Sequence, residues 1–554
     1  MLISPKQTVK ISGDYFLDFT AVSSKLVTNE LIEFSVISAC DFNKYYDEDE
    51  VFLRMEYGLN NSKNVQYGFL MRNREWRIRI SVSDVGLYSA KLILCVNKQK
   101  ADEFQFDFEV LRGTDLRGTL NAEPNNKKHF AFENGENYTA FGENLCWGKP
   151  GENRLEYYKR MIEKFARYGL NWTRIWLTAE WFINLIPKNS YPCNFLEKQT
   201  DFELLDEIVS LLEKNGIYVQ MVLFNHGNLR SEGNDSSWND FGFNNETKEG
   251  YLEKPSDFFI NEQAIRDVKS YIRYISARYG YSTHILCWEL FNEANAAEGD
   301  FEAVCRWHRI MTEYFRKIDI RKHMITTSSA SVIYPLIYDN MFDFINIHRY
   351  GEIANIYHLI SDVYWASVSY NRPVLLSECG ASWSSGDANE AVVHQYLWAG
   401  AMCNSAGGGM LWFWFEHDEI PNNAIYKQYY YAAEFFKNIR WNNKKMRHIL
   451  SPDLKISNES VNAMGYLSED FAVLWFYDNR YTFFSKEYEE IIDTKFTLSL
   501  DSGVYILHWY DAWTGKTVFS ESITVDLNGT AITINKFSRD ISLYAERKRT
   551  DEDR

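Results

Sequence analysis

The sequence predicts a multidomain protein: a (β/α)8 TIM barrel flanked by an N-terminal β-sandwich and a small C-terminal β-sandwich. Three observations predict it. The apolar period is two up to about residue 114. Strand-like and helix-like segments alternate from Phe130 to Lys437, and the period of two returns from about Arg447. A chain of 554 residues is long enough for one large barrel and two smaller partners.

The first unit is read from Tyr67-Gly-Phe-Leu-Met-Arg and Glu75-Trp-Arg-Ile-Arg-Ile-Ser-Val, where large apolar and polar residues alternate as on a half-buried strand. Residues 86–96 and 104–110 continue the pattern, and several short strands separated by turn residues suggest a sandwich. The polar stretch 113–128 reads as a linker. The expected domains are 1–118, 119–445 and 446–554.

Barrel strands are expected at 138–146, 171–177, 217–224, 284–291, 323–327, 343–347, 373–376 and 409–415. Amphipathic runs lie between or after them, for example at 152–168, 202–215, 263–279, 301–318, 389–401 and 426–436. Eight strand–helix pairs in about 310 residues suit a closed barrel. A doubly wound sheet would need a phosphate-binding glycine pattern after its first strand, and none is present.

Composition narrows the partners. Lys and Arg total 59 against 76 Asp and Glu, a net charge of −17, and no basic stripe interrupts it. Nucleic acid and anionic membrane surfaces are therefore poor partners. The start shows no charged-then-apolar leader, and no apolar run is long enough to span a bilayer. The eight cysteines include no C-x-x-C pair and several sit in apolar runs, as buried reduced thiols do. A cytoplasmic location is expected, or an extracellular or periplasmic one if a leader has been removed. Oligomeric state is left open.

Barrel sites lie at the C-terminal ends of the strands. The fourth strand closes with Trp288-Glu-Leu-Phe-Asn292-Glu293 and the seventh with Leu375-Leu-Ser-Glu378. In an eight-stranded barrel these strands face each other, so two glutamates can flank one small ligand. Glycoside hydrolysis needs such a pair: one carboxylic acid protonates the leaving oxygen, and one carboxylate attacks the anomeric carbon or activates water. Taken singly, each glutamate is equally a solvated strand end or an ion-pair partner.

The neighbours carry a family resemblance. From Phe130 to Lys437 the chain resembles clan A of the glycoside hydrolases, and most closely family 5. Trp288-Glu-Leu-Phe-Asn-Glu293 is similar to the clan's Asn-Glu motif, which implies acid/base duty for Glu293 and a sugar 2-hydroxyl contact for Asn292. Pro373-Val-Leu-Leu-Ser-Glu378 resembles the nucleophile strand. Gly169-Leu-Asn171-Trp-Thr-Arg174 resembles a pattern whose arginine contacts the nucleophile, and His348-Arg-Tyr350 one whose tyrosine hydrogen-bonds it. The resemblance also implies sugar stacking on Trp412 or Trp414, and substrate contacts from His226 and Asn144. Trp238 is expected in the wall built by the long segment 227–259, beside Trp181. The N-terminal pattern resembles an immunoglobulin-like domain that precedes such barrels.

These roles are physically coherent. Arg174 and the Tyr350 hydroxyl would keep the nucleophile ionised, whereas the nucleophile's charge should push the acid upward. An alternative for Arg174 is an interior ion pair with Glu289. Cys379, directly after Glu378, departs from the family, where Phe or Trp-Gly is usual. The function expected is retaining hydrolysis of β-linked plant oligosaccharides of β-mannoside or β-glucoside type, with no metal and no cofactor. The rival readings are a metal-dependent barrel hydrolase, which lacks its usual His-x-His at Phe141-Gly-Glu143-Asn144, and a carbohydrate-binding barrel without chemistry. Serine-triad chemistry lacks a Gly-x-Ser-x-Gly elbow.

Overall fold

A computed structural model describes residues 1–548 except 12, 40–49, 61, 74, 180–181, 351–355, 382–388, 438, 440–445 and 484, and the backbone alone of 356–360. Four hydrophobic clusters run through the chain: one inside the N-terminal part, a large one in the barrel that also takes in Phe69, Trp475 and Tyr510 from the flanking parts, one inside the C-terminal part and a small one at the barrel floor.

The N-terminal part contains two five-stranded sheets. Phe16, Phe19, Phe34 and Val36 from one and Leu53, Met55, Leu92, Phe106 and Phe108 from the other share a single buried cluster. The alternation legible in the sequence is real: Val51–Leu59 runs buried and half-buried in strict alternation along its first seven residues. A buried ionic seam ties this part to the barrel. Arg79 binds Glu33 (2.5 Å) and Asp206 (2.9 Å), and Arg278 also reaches Asp206 (2.6 Å). The second half of the segment read as a linker is partly ordered against the barrel floor. Leu120–Ala122 pairs with Phe130–Phe132, and that strand with Asn137–Tyr138. Leu120, Phe130, Phe132 and Tyr138 pack on Trp172, Tyr218, Leu286, Met324, Phe344 and Leu375 at the starts of the barrel strands, closing its N-terminal end.

The barrel strands are Gly142–Asn144, Trp172–Trp176, Tyr218–Asn225, Ile285–Asn292, Met324–Thr326 extended by Ser328–Ser329, Ile345–Tyr350 and Val374–Gly380. Neighbours are parallel throughout. The eighth position is an extended segment joined by single bridges, Gly407 to Ala140 and Leu411 to both Glu143 and Cys379. Glycines explain its thinness, since a Cβ at Gly407 would lie 2.2 Å from the Ala140 carbonyl oxygen. Strand one is shorter than expected because Tyr138 serves the floor hairpin.

Outer helices are Arg154–Arg167, Gln199–Asn215, Glu262–Tyr279, Phe301–Ile318, Ile356–Ser369, Glu390–Met402 and Ala424–Phe436. Asn153, Asn261, Asp300 and Asn389 cap four of them through side-chain acceptors. Helix Ile356–Ser369 escapes a periodicity reading because its sequence, IYHLISDVYWASVS, has few charges to mark a polar face.

After the barrel, a six-stranded and a two-stranded sheet cover a third cluster that includes Leu474, Phe476, Phe496, Leu507, Trp509 and Leu543. Cys95, Cys146, Cys193, Cys287, Cys379 and Cys403 are buried thiols and Cys305 is partly exposed. Cys40 lies outside the described residues. No described helix is long and apolar enough to cross a membrane.

Candidate active site

The site grows from strand register. Pairing sets Asn144 beside Arg174 and Arg174 beside Gln220 on the first three strands. All three side chains are fully buried, and parallel pairing keeps them on one face of the sheet. A guanidinium buried there demands acceptors for its donors. Arg174 donates through Nε and Nη2 to the two oxygens of Glu289 (3.0 and 3.1 Å), through Nη1 to Asn144 Oδ1 (3.0 Å) and Glu378 Oε1 (2.6 Å), and through Nη2 to Asn292 Oδ1 (2.8 Å). Both sequence readings of Arg174 are thus combined in one side chain. Burial opposes its charge, but Glu289 and Glu378 outweigh burial and hold its pKa well above the ordinary value.

Glu378 is 4% exposed. Its second oxygen accepts the Tyr350 hydroxyl at 2.8 Å. Burial first, then the charges of Glu378 and Glu293, keep the Tyr350 phenol protonated. A register irregularity between Ile347 and His348 re-aims the end of strand six, as bulges beside active sites commonly do. His348 Nδ1 then stands 2.9 Å from Glu293 Oε1 and 3.4 Å from Glu378 Oε2, with Nε2 3.1 Å from the Ser377 hydroxyl. Burial pulls its pKa down to about 4, so the ring is neutral at neutral pH.

Glu293 follows strand four in a left-handed conformation, φ 53° and ψ 55°, uncommon for a residue with a side chain. Its N–H donates to the Ser328 hydroxyl at 3.0 Å. The carboxyl thereby turns inward with 15% of its side chain exposed. Its pKa is raised as expected, but burial is the chief cause, with Asp235 adding and His226 and Arg174 opposing. The upward direction agrees with the expectation, and the leading cause is burial in place of the Glu378 charge.

One ligand atom each from Glu293, His348 and Glu378 lie within 4.8 Å of one another. Among the described residues this is the one His/Cys/Asp/Glu group with a spacing that could hold a metal ion. The Arg174 charge on Glu378 works against a cation there.

His226 reaches the site: Nδ1 lies 3.0 Å from Asn292 Nδ2 and 3.5 Å from Glu293 Oε2. Asn144 stays beneath the pocket, its amide donating to the Ser377 and Leu411 carbonyls (3.0 Å each). Trp412 is partly exposed at the mouth, at the end of strand eight. Trp414 is 1% exposed and packed edge-on to Trp147 and Trp412 (4.9 and 5.2 Å), so it supports the mouth and offers no face to a ligand. Trp238 is also buried beside Phe241, because this segment packs its aromatic residues into the barrel cluster, with Phe241 and Phe258 against Phe224 of strand three. Trp181 lies outside the described residues. Cys379 is buried and its Sγ faces the Met410 carbonyl, so the residue that departs from the family lies in the barrel wall.

Sequence reading missed Trp147, Gln220, Ser328, Ser377 and Asp235. Trp147 directly follows the segment 138–146 expected as strand one and was findable by the strand-end rule. The others become visible only through contacts.

Fold and site together define the class, a TIM barrel with a paired-carboxylate centre at its C-terminal mouth. The chain belongs to glycosyl hydrolase family 5: residues 131–419, about half of the 554, match the cellulase family. It is 22% identical over 226 residues to mannan endo-1,4-beta-mannosidase A of Hypocrea jecorina, covering 36% of this chain and 51% of that protein. Against the enzyme of the same name from Podospora anserina it is 22% identical over 264 residues, covering 45% and 66%. The chain spans about a third of the length of the first curated relatives it matches. Among solved structures, a protein of Bacteroides vulgatus ATCC 8482 superposes over 95% of this chain and all of its own, with TM-score 0.65 and 13% identity. A glycoside hydrolase family 5 structure from the same organism covers 78% and 95%, with TM-score 0.55 and 13% identity. At such identities these likenesses speak for the fold.

Proposed function

We propose that the protein is a retaining β-glycoside hydrolase that cleaves β-linked oligosaccharides by double displacement. The observation that carries this reading is the approach of Glu293 and Glu378 across the mouth, with ligand oxygens no more than 4.8 Å apart. Retention calls for carboxyls about 5–5.5 Å apart, and inversion for roughly 6.5–9.5 Å, with room for a water between them.

In the first step Glu378 attacks the anomeric carbon while Glu293 gives its proton to the leaving oxygen. Arg174 and Tyr350 hold the attacking carboxylate in place. In the second step Glu293, now a carboxylate, takes a proton from water, and the hydroxide displaces Glu378 from the sugar. Trp412 supplies the stacking face and Asn292 the 2-hydroxyl contact.

The substrate proposed is a β-mannoside first and a β-glucoside second, since the named relatives are mannan endo-1,4-beta-mannosidases. Buried thiols suit a reducing compartment, so short oligosaccharides in the cytoplasm, cleaved from an end, are the proposed setting. The same reading divides the chain at 118/119 and 445/446 with sandwiches at both ends, supported by the clusters lying wholly inside the N-terminal and the C-terminal parts.

A screen of aryl β-glycosides and manno- and gluco-oligosaccharides, followed by proton NMR of the first-formed product, tests the proposal. The β anomer is expected first. An α anomer first, or no turnover of any β-glycoside, overturns it.

A further inference from the structure

The loop after strand three carries a charged pair that no step above uses. Asp235 Oδ2 lies 2.8 Å from His226 Nε2, and Arg230 Nη1 clamps Asp235 at 2.7 and 2.8 Å. The loop is folded tightly to make this contact. Ser237 N donates to the Gly227 carbonyl at 2.7 Å, and a Cβ on Gly227 would stand 2.3 Å from the Asp235 carbonyl oxygen. Only glycine lets the chain double back so closely.

A satisfiability argument fixes the protons. Arg174 Nη2 can only donate, so the Asn292 atom facing it at 2.8 Å is the oxygen. The Asn292 amide NH2 therefore faces His226 Nδ1 at 3.0 Å, and that nitrogen must accept. The imidazole proton then sits on Nε2, where Asp235 receives it. Donation runs from Arg174 through Asn292 and His226 and ends on Asp235, which also accepts from Arg230.

We infer that Asp235, seated by Arg230, is a positioning residue for the reaction: it selects the His226 tautomer that aims the Asn292 amide at the substrate. Without Asp235 the proton can move to Nδ1 and confront the Asn292 NH2; because Arg174 holds the amide oxygen, the imidazole is the group that gives way and the NH2 loses its acceptor. Because the Asn292 contact with the sugar strengthens in the transition state, the effect falls on kcat more than on KM. The charge of Asp235 also reaches the acid. The groups facing Glu293 are His226, Asp235 and Arg230 from this loop, Arg174 from strand two, His348 and Tyr350 from strand six and Glu378 from strand seven. Among these Asp235 favours the protonated acid.

This inference rests on the proposed hydrolysis, and the test separates the two. Asp235→Ala, Asp235→Asn and Glu378→Gln are assayed together on the best β-glycoside from the screen. Asp235→Ala is expected to lower kcat about 10- to 100-fold, the usual loss when the partner orienting a histidine is removed, with KM within about threefold and an unchanged melting temperature. Asp235→Asn keeps an acceptor for Nε2–H, so it should recover most of kcat. Its kcat/KM profile should nonetheless lose activity at lower pH on the alkaline side, because the charge that favours protonated Glu293 is gone. Wild-type kcat in Asp235→Ala, or an Asp235→Asn variant as slow as Asp235→Ala, overturns the inference while an inactive Glu378→Gln leaves the hydrolase reading standing. An active Glu378→Gln overturns that reading, and the inference with it.

Discussion

Tyr350 donates its hydroxyl to Glu378 at 2.8 Å, on the carboxylate oxygen opposite the one that Arg174 holds. Each oxygen of the carboxylate thus has its own donor, one neutral and one charged. Removing the neutral donor in Tyr350→Phe leaves the ion pair and the fold in place. A hydrogen bond to a charged group contributes about 1.5–3 kcal/mol, so kcat should fall about 10- to 100-fold and the melting temperature should drop with it. Steady-state rates and a thermal melt check both halves.

Glu378→Gln should abolish turnover on every β-glycoside while substrate binding persists, since the amide keeps the shape without the nucleophile. Isothermal titration beside an activity assay reads this directly. Glu293→Ala should be selective instead. Substrates with poor leaving groups should lose several orders of magnitude, and activated aryl glycosides far less, because a good leaving group needs no proton. Equal losses on both would remove Glu293 from the acid role.

Burial raises the Glu293 pKa above its ordinary value of 4.5, so the alkaline limb of kcat/KM should lie above the usual carboxylate range. The same shift has a sign for stability. Between 4.5 and the raised value the unfolded chain loses a proton that the native protein retains, so stability falls as pH rises through that window. Glu293→Gln should therefore melt higher than wild type at pH 7, and the difference should vanish below about pH 4. Paired melts at the two pH values test it.

Arg174→Ala would strand Glu289 and Glu378 as unpaired carboxylates inside the barrel. Breaking one side of a buried ion pair costs about 3–5 kcal/mol, so severe destabilisation is expected together with loss of activity. Adding Glu289→Gln should recover part of the stability and none of the rate. Denaturant melts of the single and double variants give the coupling.

Trp412 and Trp414 should separate cleanly. Trp412→Ala removes a partly exposed face at the mouth and should raise KM, leaving the melt nearly unchanged. Trp414→Ala empties a buried position and should cost about 3–5 kcal/mol of stability.

The legible features were those with a short-range signature. Strand period, helix amphipathicity and two carboxylates at strand ends gave the barrel, Glu293 and Glu378, and the Arg174 and Tyr350 patterns placed their supports. Side-chain depth was not legible. Trp412 and Trp414 differ by two positions, yet one is at the mouth and the other beneath it, because the backbone turns into helix Trp414–Glu419 between them. Trp238 reads as a wall residue because a loop whose aromatic residues join the barrel core cannot be distinguished by sequence from one that drapes over a cleft. Asp235 was invisible for another reason. Its role depends on a contact with His226 nine residues earlier, made only because the chain reverses at Gly227.

Arg174 gathers acceptors from strands one, four and seven into one fully buried guanidinium. The chemical centre is therefore assembled by the same contacts that hold the barrel interior together, before any sugar arrives. The loop after strand three reaches this hub through the contact of His226 with Asn292. A lineage carrying this fold can rewrite its walls, and with them its diet, while the machinery underneath stays still.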